Sequence, residues 1–153
     1  MNYLSEIKRL SGIRDSYRDL LNDKGKLKSY IKANYTSYFA GIRDLRQKFE
    51  ILNSNIFDLE NSEKLRREEQ AFLSRHTGRI VKSCRLVPMR GGGKVYNYSF
   101  GTLHYDRKKI CVELNGKSYV FEDKSDIDFI FTLFKRKKEL IGKVYDEIPP
   151  LKK

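Results

Sequence analysis

Tryptophan is absent from this chain, histidine occurs twice, and Cys84 and Cys111 are its only cysteines. Two cysteines cannot form a zinc site of cysteine ligands or the disulfide framework on which small secreted domains rely. They are expected as two buried thiols in a reducing compartment. His76 and His104 lie far apart in sequence, and neither has a neighbouring third group to orient it, so a metal-free acid–base pair is unsupported. Long apolar runs are also missing: no stretch approaches the roughly 18 apolar residues of a membrane span. Glu6, Lys8 and Arg9 interrupt the first ten residues, where a secretory leader needs an apolar core. A cytoplasmic, soluble protein without a cofactor is expected.

Acidic residues are the other shortage, 20 against 32 basic ones, which leaves a net charge of +12 on 153 residues. The excess is uneven: +3 over residues 1–60, +1 over 61–76 and +8 over 77–153. Basic excess on a folded unit points to a polyanion: nucleic acid, an anionic membrane surface or an acidic protein face. Ten Tyr and nine Phe, within 39% hydrophobic residues, are too many large apolar groups for a disordered polyelectrolyte.

Nine apolar residues, Ile31, Tyr35, Tyr38, Ile42, Leu45, Phe49, Leu52, Ile56 and Leu59, alternate at spacings of four and three. That heptad stripe predicts a coiled-coil-like seam over about four heptads. Before it, Tyr3 to Leu21 shows a broad apolar face, and Asn22 to Gly25 breaks the pattern. An antiparallel helical hairpin is expected, with helix one running back along a longer helix two from about Lys26 to Asn53. The overhanging end of the longer helix leaves Ile42, Leu45, Phe49, Leu52 and Ile56 as a homodimer seam, or as the surface that packs on the chain's own β-unit. Asn53 to Asn55 are weak helix formers, so a third helix is expected separately, from Ser62 to Arg75, with Leu65, Phe72 and Leu73 inward and Arg66 to Glu69 solvated.

Beyond Gly78 the period changes to that of strands, over Ile80 to Val87 and Val95 to Tyr105, separated by a turn region at Pro88 to Gly93. Asn115-Gly116 between alternating runs is a type I′ hairpin signal, because both turn residues need positive φ. It pairs Ile110 with Phe121 and Val112 with Tyr119 on one apolar face, and leaves Cys111, Glu113, Ser118 and Val120 on a wetter one. Ser125 with Asp128 resembles a capping box. Ile127, Ile130, Phe131, Phe134, Ile141 and Val144 then follow at helical spacing up to the break at Pro149-Pro150, and only the final Pro-Pro-Leu-Lys-Lys is expected as a tail. The fold class is therefore α+β: a helical, coiled-coil-like arm over residues 1–77, and over 78–153 a small antiparallel sheet of about four strands packed by one C-terminal helix.

Chemistry is hard to place on this frame. Gly91-Gly92-Gly93-Lys94 lacks the order and the following helix of a phosphate loop, and reads as a flexible hairpin loop whose Arg90 and Lys94 could touch a phosphate. Asp123, Asp126 and Asp128 suit a helix N-terminus. No catalytic residue and no metal ligand is assigned.

What remains is a basic and aromatic surface. Arg79, Lys82, Arg85, Arg90, Lys94, Arg107, Lys108 and Lys109 give residues 79–109 a net +7 against the single acid Asp106. Tyr96, Tyr98, Phe100 and Tyr105 interleave with them, a composition with which sheets hold single-stranded nucleic acid by stacking and phosphate contact. The same aromatics could instead form the core beneath the last helix. Lys135, Arg136, Lys137 and Lys138 make a second run, late in a helix where cations also offset the helix dipole. The pattern predicts a non-enzymatic protein that binds DNA or RNA, or else an assembly protein, an inhibitor or adaptor, whose basic unit docks on an acidic protein surface.

Overall fold

The structure is a computed structural model of the full chain, and it describes residues 2–75, 79–143 and 146–152. The chain is α+β, with three helices followed by a five-stranded antiparallel sheet and a last helix. Two compact units are formed, residues 1–64 with 143–153, and residues 65–142. A division by type of element falls near residue 77. The division by compactness differs because the end of the third helix packs on the sheet, whereas the C-terminal segment packs on the helices.

Helix α1 spans Tyr3–Leu21, α2 Lys24–Asn34 and α3 Tyr38–Arg75. The Asn2 side chain caps α1 by accepting from the Ser5 N–H (3.1 Å), and Asp23 caps α2 by accepting from Lys26 N–H (3.1 Å). Gly25, expected as a stop, lies inside the first turn of α2, because Asp23 restarts the helix two residues after α1 ends. The expected break near Asn53 to Asn55 does not occur, and α3 runs through it for 38 residues. Asn55 is held by tertiary contact: it is buried, and its amide donates to the Asp146 carbonyl (3.2 Å). The real break comes earlier, at Tyr35 to Ser37, so the heptad stripe is divided between two helices.

Leu10, Tyr17 and Leu20 of α1, Leu27 and Ile31 of α2, and Leu45, Leu52, Ile56 and Leu59 of α3 form one core, which Ile148 completes. The last residues are therefore not a free tail. Ile148 is buried, the Tyr17 hydroxyl donates to the Pro149 carbonyl (2.8 Å), and the Lys152 N–H donates to the Tyr30 hydroxyl (3.2 Å). Burial raises the Tyr17 pKa to about 12, with the charges of Tyr30 and Asp44 adding to it. Lys143 reaches the buried Asp58 carboxylate at 2.7 Å.

In the second unit the strands are β1 (Arg79–Val81), β2 (Lys94–Tyr98), β3 (Gly101–Tyr105), β4 (Ile110–Leu114) and β5 (Lys117–Phe121), in the order β1-β5-β4-β3-β2. The β4–β5 hairpin has the predicted register, Ile110 opposite Phe121 and Val112 opposite Tyr119, with φ of 52° at Asn115 and 76° at Gly116. Five strands form where about four were expected, because Val95 to Tyr105 folds into two at Ser99 and Phe100. The Ile80 to Val87 segment is a strand only as far as Val81; beyond it a short 3-10 turn covers Cys84–Leu86.

Helix α4, Lys124–Ile141, covers one face of the sheet. Asp123, not Ser125, is its N-cap, accepting from the Ser125 N–H (2.9 Å) and hydroxyl (3.0 Å). Ile127, Ile130, Leu133 and Phe134 are buried against Leu103, Ile110, Val112, Leu114 and Phe121, and Phe72 of α3 stacks on Phe129 at 4.5 Å. Ile141 is exposed, contrary to its expected inward position, because it ends the helix; Val144 is outside the described residues.

The opposite face is not wet at its centre. To join β1 at one edge to β2 at the other, residues 82–93 cross it as a strap, and Cys84, Val87, Val81 and Met89 pack on Cys111 and Val120. Cys84 and Cys111 are not separate thiols but a disulfide, with Cα atoms 5.6 Å apart and both side chains buried. The expectation failed because strand alternation cannot reveal a crossing segment that brings a cysteine 27 positions away onto the same face.

Candidate nucleic-acid interface

The strap and the β3–β4 turn meet at one carboxylate. Asp106, the only acid between Arg79 and Lys109, is buried and accepts from the backbone N–H groups of Arg90 (2.9 Å), Lys108 (3.0 Å) and Lys109 (2.9 Å). Hydrogen bonds from Arg90, then from Lys109 and Lys108, outweigh burial and hold its pKa below the ordinary carboxylate range. Its charge is thus committed to backbone donors. The Gly91–Gly93 segment is a turn that ends the strap and not a hairpin loop, all three glycines having φ between 60° and 79° as the chain bends into β2.

This arrangement gathers Arg90, Lys94, Arg107, Lys108 and Lys109 at one end of the sheet, since Lys94 pairs with Tyr105 and the other four flank Asp106. All are exposed except the half-buried Lys109, and none makes an ion pair among the described residues. Arg107 has a φ of 77°, where a side chain costs roughly 1–2 kcal/mol that glycine does not. Arg79, Lys82 and Arg85 are exposed on β1, at the opposite edge of the sheet from β2, and on the strap.

Other expected site residues stand differently. Lys137 is half-buried, 3.0 Å from the buried Glu69 carboxylate, with its ammonium 4.9 Å from the centre of the Phe100 ring; Glu69 is correspondingly not the solvated residue expected. Arg136 lies 3.8 Å from Glu68. Lys135 and Lys138 are exposed. The aromatics offer no broad stacking platform. Tyr98 and Phe100 pack on Phe134 at 5.2 and 5.1 Å, Tyr105 packs on Phe131 at 5.0 Å, and Tyr96 is 37% exposed with its ring edge on Phe131.

Of the seam residues, Leu45, Leu52 and Ile56 are within 2% of complete burial and Ile42 and Phe49 are half-buried, all within the first unit's own core. His104 is half-buried on β3 beside Val95 and Cys111, and His76 is outside the described residues. Among the described residues no three His, Cys, Asp or Glu side chains are grouped to hold a metal ion, and no helix is long and apolar enough to cross a membrane.

These features define an α+β protein with a disulfide-pinned sheet and a basic sheet end. Compared with known proteins, the chain matches no family model, no curated protein and no solved structure.

Proposed function

We propose that the protein is a non-enzymatic nucleic-acid-binding accessory protein that holds a phosphate backbone at the end of its sheet. The observation that supports this reading is the convergence of Arg90, Lys94, Arg107, Lys108 and Lys109 around a turn whose one carboxylate is already committed to backbone donors. Cations without ion-paired acids, on a backbone hydrogen-bonded to Asp106, release counterions on binding and lose little entropy in doing so. Contact through phosphates positions a protein without reading sequence.

A second reading, docking on an acidic protein surface, draws on a different observation. With Tyr98, Phe100 and Tyr105 engaged beneath α4, the sheet end offers charge without a broad stacking surface, and an acidic face would meet it equally well. Reversing Arg90, Arg107 and Lys108 to Glu separates a site from general attraction when compared with reversing Lys8, Arg14 and Arg18. Either set takes the net charge from +12 to +6, at two units per residue. The first set should weaken nucleic-acid binding and flatten its salt dependence, and the second should do much less.

The reading puts the protein in the cytoplasm, acting as a single chain and not as a homodimer, because the seam residues are occupied within their own core. Disulfides are rare in that compartment. Trapping thiols by alkylation before cell lysis tests the location: a Cys84–Cys111 bond that is fully formed in cells argues for an oxidising compartment instead.

A further inference from the structure

The net +3 of the first 60 residues hides a segregated stretch: from Lys24 to Arg43 there are five basic residues and no acid. The fold bends within this stretch, at the α2–α3 elbow, and leaves a groove of about 590 Å³ there. Lys28 and Lys32 stand on one wall, one helical turn apart, about 6 Å along the axis. Thr36, Ser37 and Tyr38, from the elbow and the start of α3, also line it. Neither lysine makes an ion pair among the described residues.

The elbow is a fixed shape. A Cβ on Gly41 would lie 2.8 Å from Cγ2 of Ile31 and 3.2 Å from Cδ2 of Tyr35, so only glycine lets α3 approach α2 this closely. The Tyr35 hydroxyl donates to Asp44 at 2.5 Å, and Lys48 lies 2.9 Å from the same carboxylate, so the nearest acid after the stretch is already engaged. Burial, then the hydrogen bond to Asp44, raises the Tyr35 pKa. Beside the groove, Phe39 is 83% exposed, the highest value among the described exposed large apolar residues, and meets Tyr38 edge-to-face at 6.1 Å. Two neighbouring exposed rings, Tyr38 and Phe39, thus lie next to unpaired lysines here, whereas the sheet end offers Tyr96 alone.

We infer that the elbow groove binds a segment of single-stranded nucleic acid, with a base against Tyr38 and Phe39 and phosphates at Lys28 and Lys32. Bases stack on aromatic side chains whatever their sequence, and a basic wall one nucleotide wide tracks the backbone; a duplex, whose bases are already stacked, gains only the charge term. The inference rests on the proposed nucleic-acid role but uses a separate surface.

The test uses the full chain and a fluorescent oligothymidylate of about 12 nucleotides, a length within the usual site sizes, beside a duplex of equal length. Phe39→Ala should weaken single-strand binding roughly tenfold and leave duplex binding unchanged. Lys28→Glu with Lys32→Glu should weaken both and reduce the single-strand salt slope by about 1.4. All three side chains are exposed, so the variants should keep the wild-type circular dichroism. A 4-thiouracil oligonucleotide should cross-link to the peptide bearing Tyr38 and Phe39. Wild-type single-strand affinity in both elbow variants, or cross-links confined to residues 79–109, would overturn the inference and leave the sheet-end proposal standing. Loss in the elbow variants with none in the Arg90, Arg107 and Lys108 reversal would do the opposite. Polyglutamate competing as well as the oligonucleotide, with Phe39→Ala silent, would assign the groove to an acidic protein segment and also overturn it.

Discussion

Reducing the Cys84–Cys111 bond should remove a large part of the stability of the 65–142 unit. The bond closes a loop with a sequence separation of 27, and the chain-entropy expression gives about 3.5 kcal/mol at 25 °C for a loop of that size. A Cα separation of 5.6 Å is ordinary for a disulfide, so no backbone distortion offsets that gain. The strap has few other anchors: packing by Val87 and Met89, and the bond from Arg90 N–H to Asp106. For a unit of this size about 3.5 kcal/mol corresponds to a fall of roughly 14–28 °C in melting temperature. Guanidinium and thermal unfolding, followed by far-UV circular dichroism with and without a phosphine reductant, measures the loss. Cys84→Ser with Cys111→Ser should match the reduced protein. A difference below about 1 kcal/mol, or two thiols that titrate in the denatured, unreduced chain, would refute the reasoning.

Other predictions follow from the two cores and the Asp106 turn. Leu45→Asp or Leu52→Asp should cost more than about 4 kcal/mol by burying an unpaired carboxylate in the helical core; light scattering of the wild type should give the mass of one chain, and a stable dimer converted cleanly to a folded monomer would contradict this. Asp106→Asn should cost about 1.5–3 kcal/mol at neutral pH, because the amide nitrogen cannot accept the N–H bond made by the oxygen it replaces and the remaining charge-assisted bonds become neutral ones. The folded Asp106 pKa is depressed, so its contribution is present above the unfolded value of about 3.9 and fades as pH falls through the lower folded value. Urea melts at descending pH should show the two proteins converging, and a constant gap would count against the assignment. Arg107→Gly should raise stability by roughly 1 kcal/mol and weaken nucleic-acid binding, a trade that a purely structural turn would not show.

The parts of this fold that were legible in the sequence are those governed by local rules. Asn115-Gly116 set the hairpin register because a type I′ turn admits few other residues. Alternation along β4 and β5 identified the face that α4 covers. What escaped depends on contacts between distant positions. A burial of Asn55 that Asp146 compensates turned a stretch of weak helix formers into helix interior. The disulfide, and the dry centre it anchors, required knowing that residues 82–93 cross the sheet. Pro149 to Lys153 read as a tail because five residues carry no periodicity, yet Leu151 packs on the helical core and the Pro149 carbonyl accepts from Tyr17. Of the candidate site, the +7 segment was visible as composition, but the commitment of Asp106, the pairing of Lys137 with Glu69 and the engagement of the sheet aromatics were not. The acid-free stretch over the elbow was readable and was hidden by averaging charge over 60 residues.

The central claim, that the basic sheet end holds a phosphate backbone, is tested most directly by one titration series. Fluorescence anisotropy of a labelled duplex, at low and at physiological salt, is measured for the wild type, for the Arg90, Arg107 and Lys108 reversal and for the Lys8, Arg14 and Arg18 reversal. The account predicts wild-type binding that weakens with salt, a loss of more than tenfold with a flatter salt slope for the sheet-end reversal, and much less change for the helix-one reversal. Equal losses in the two equally charged variants, or no wild-type binding at low salt, would contradict it.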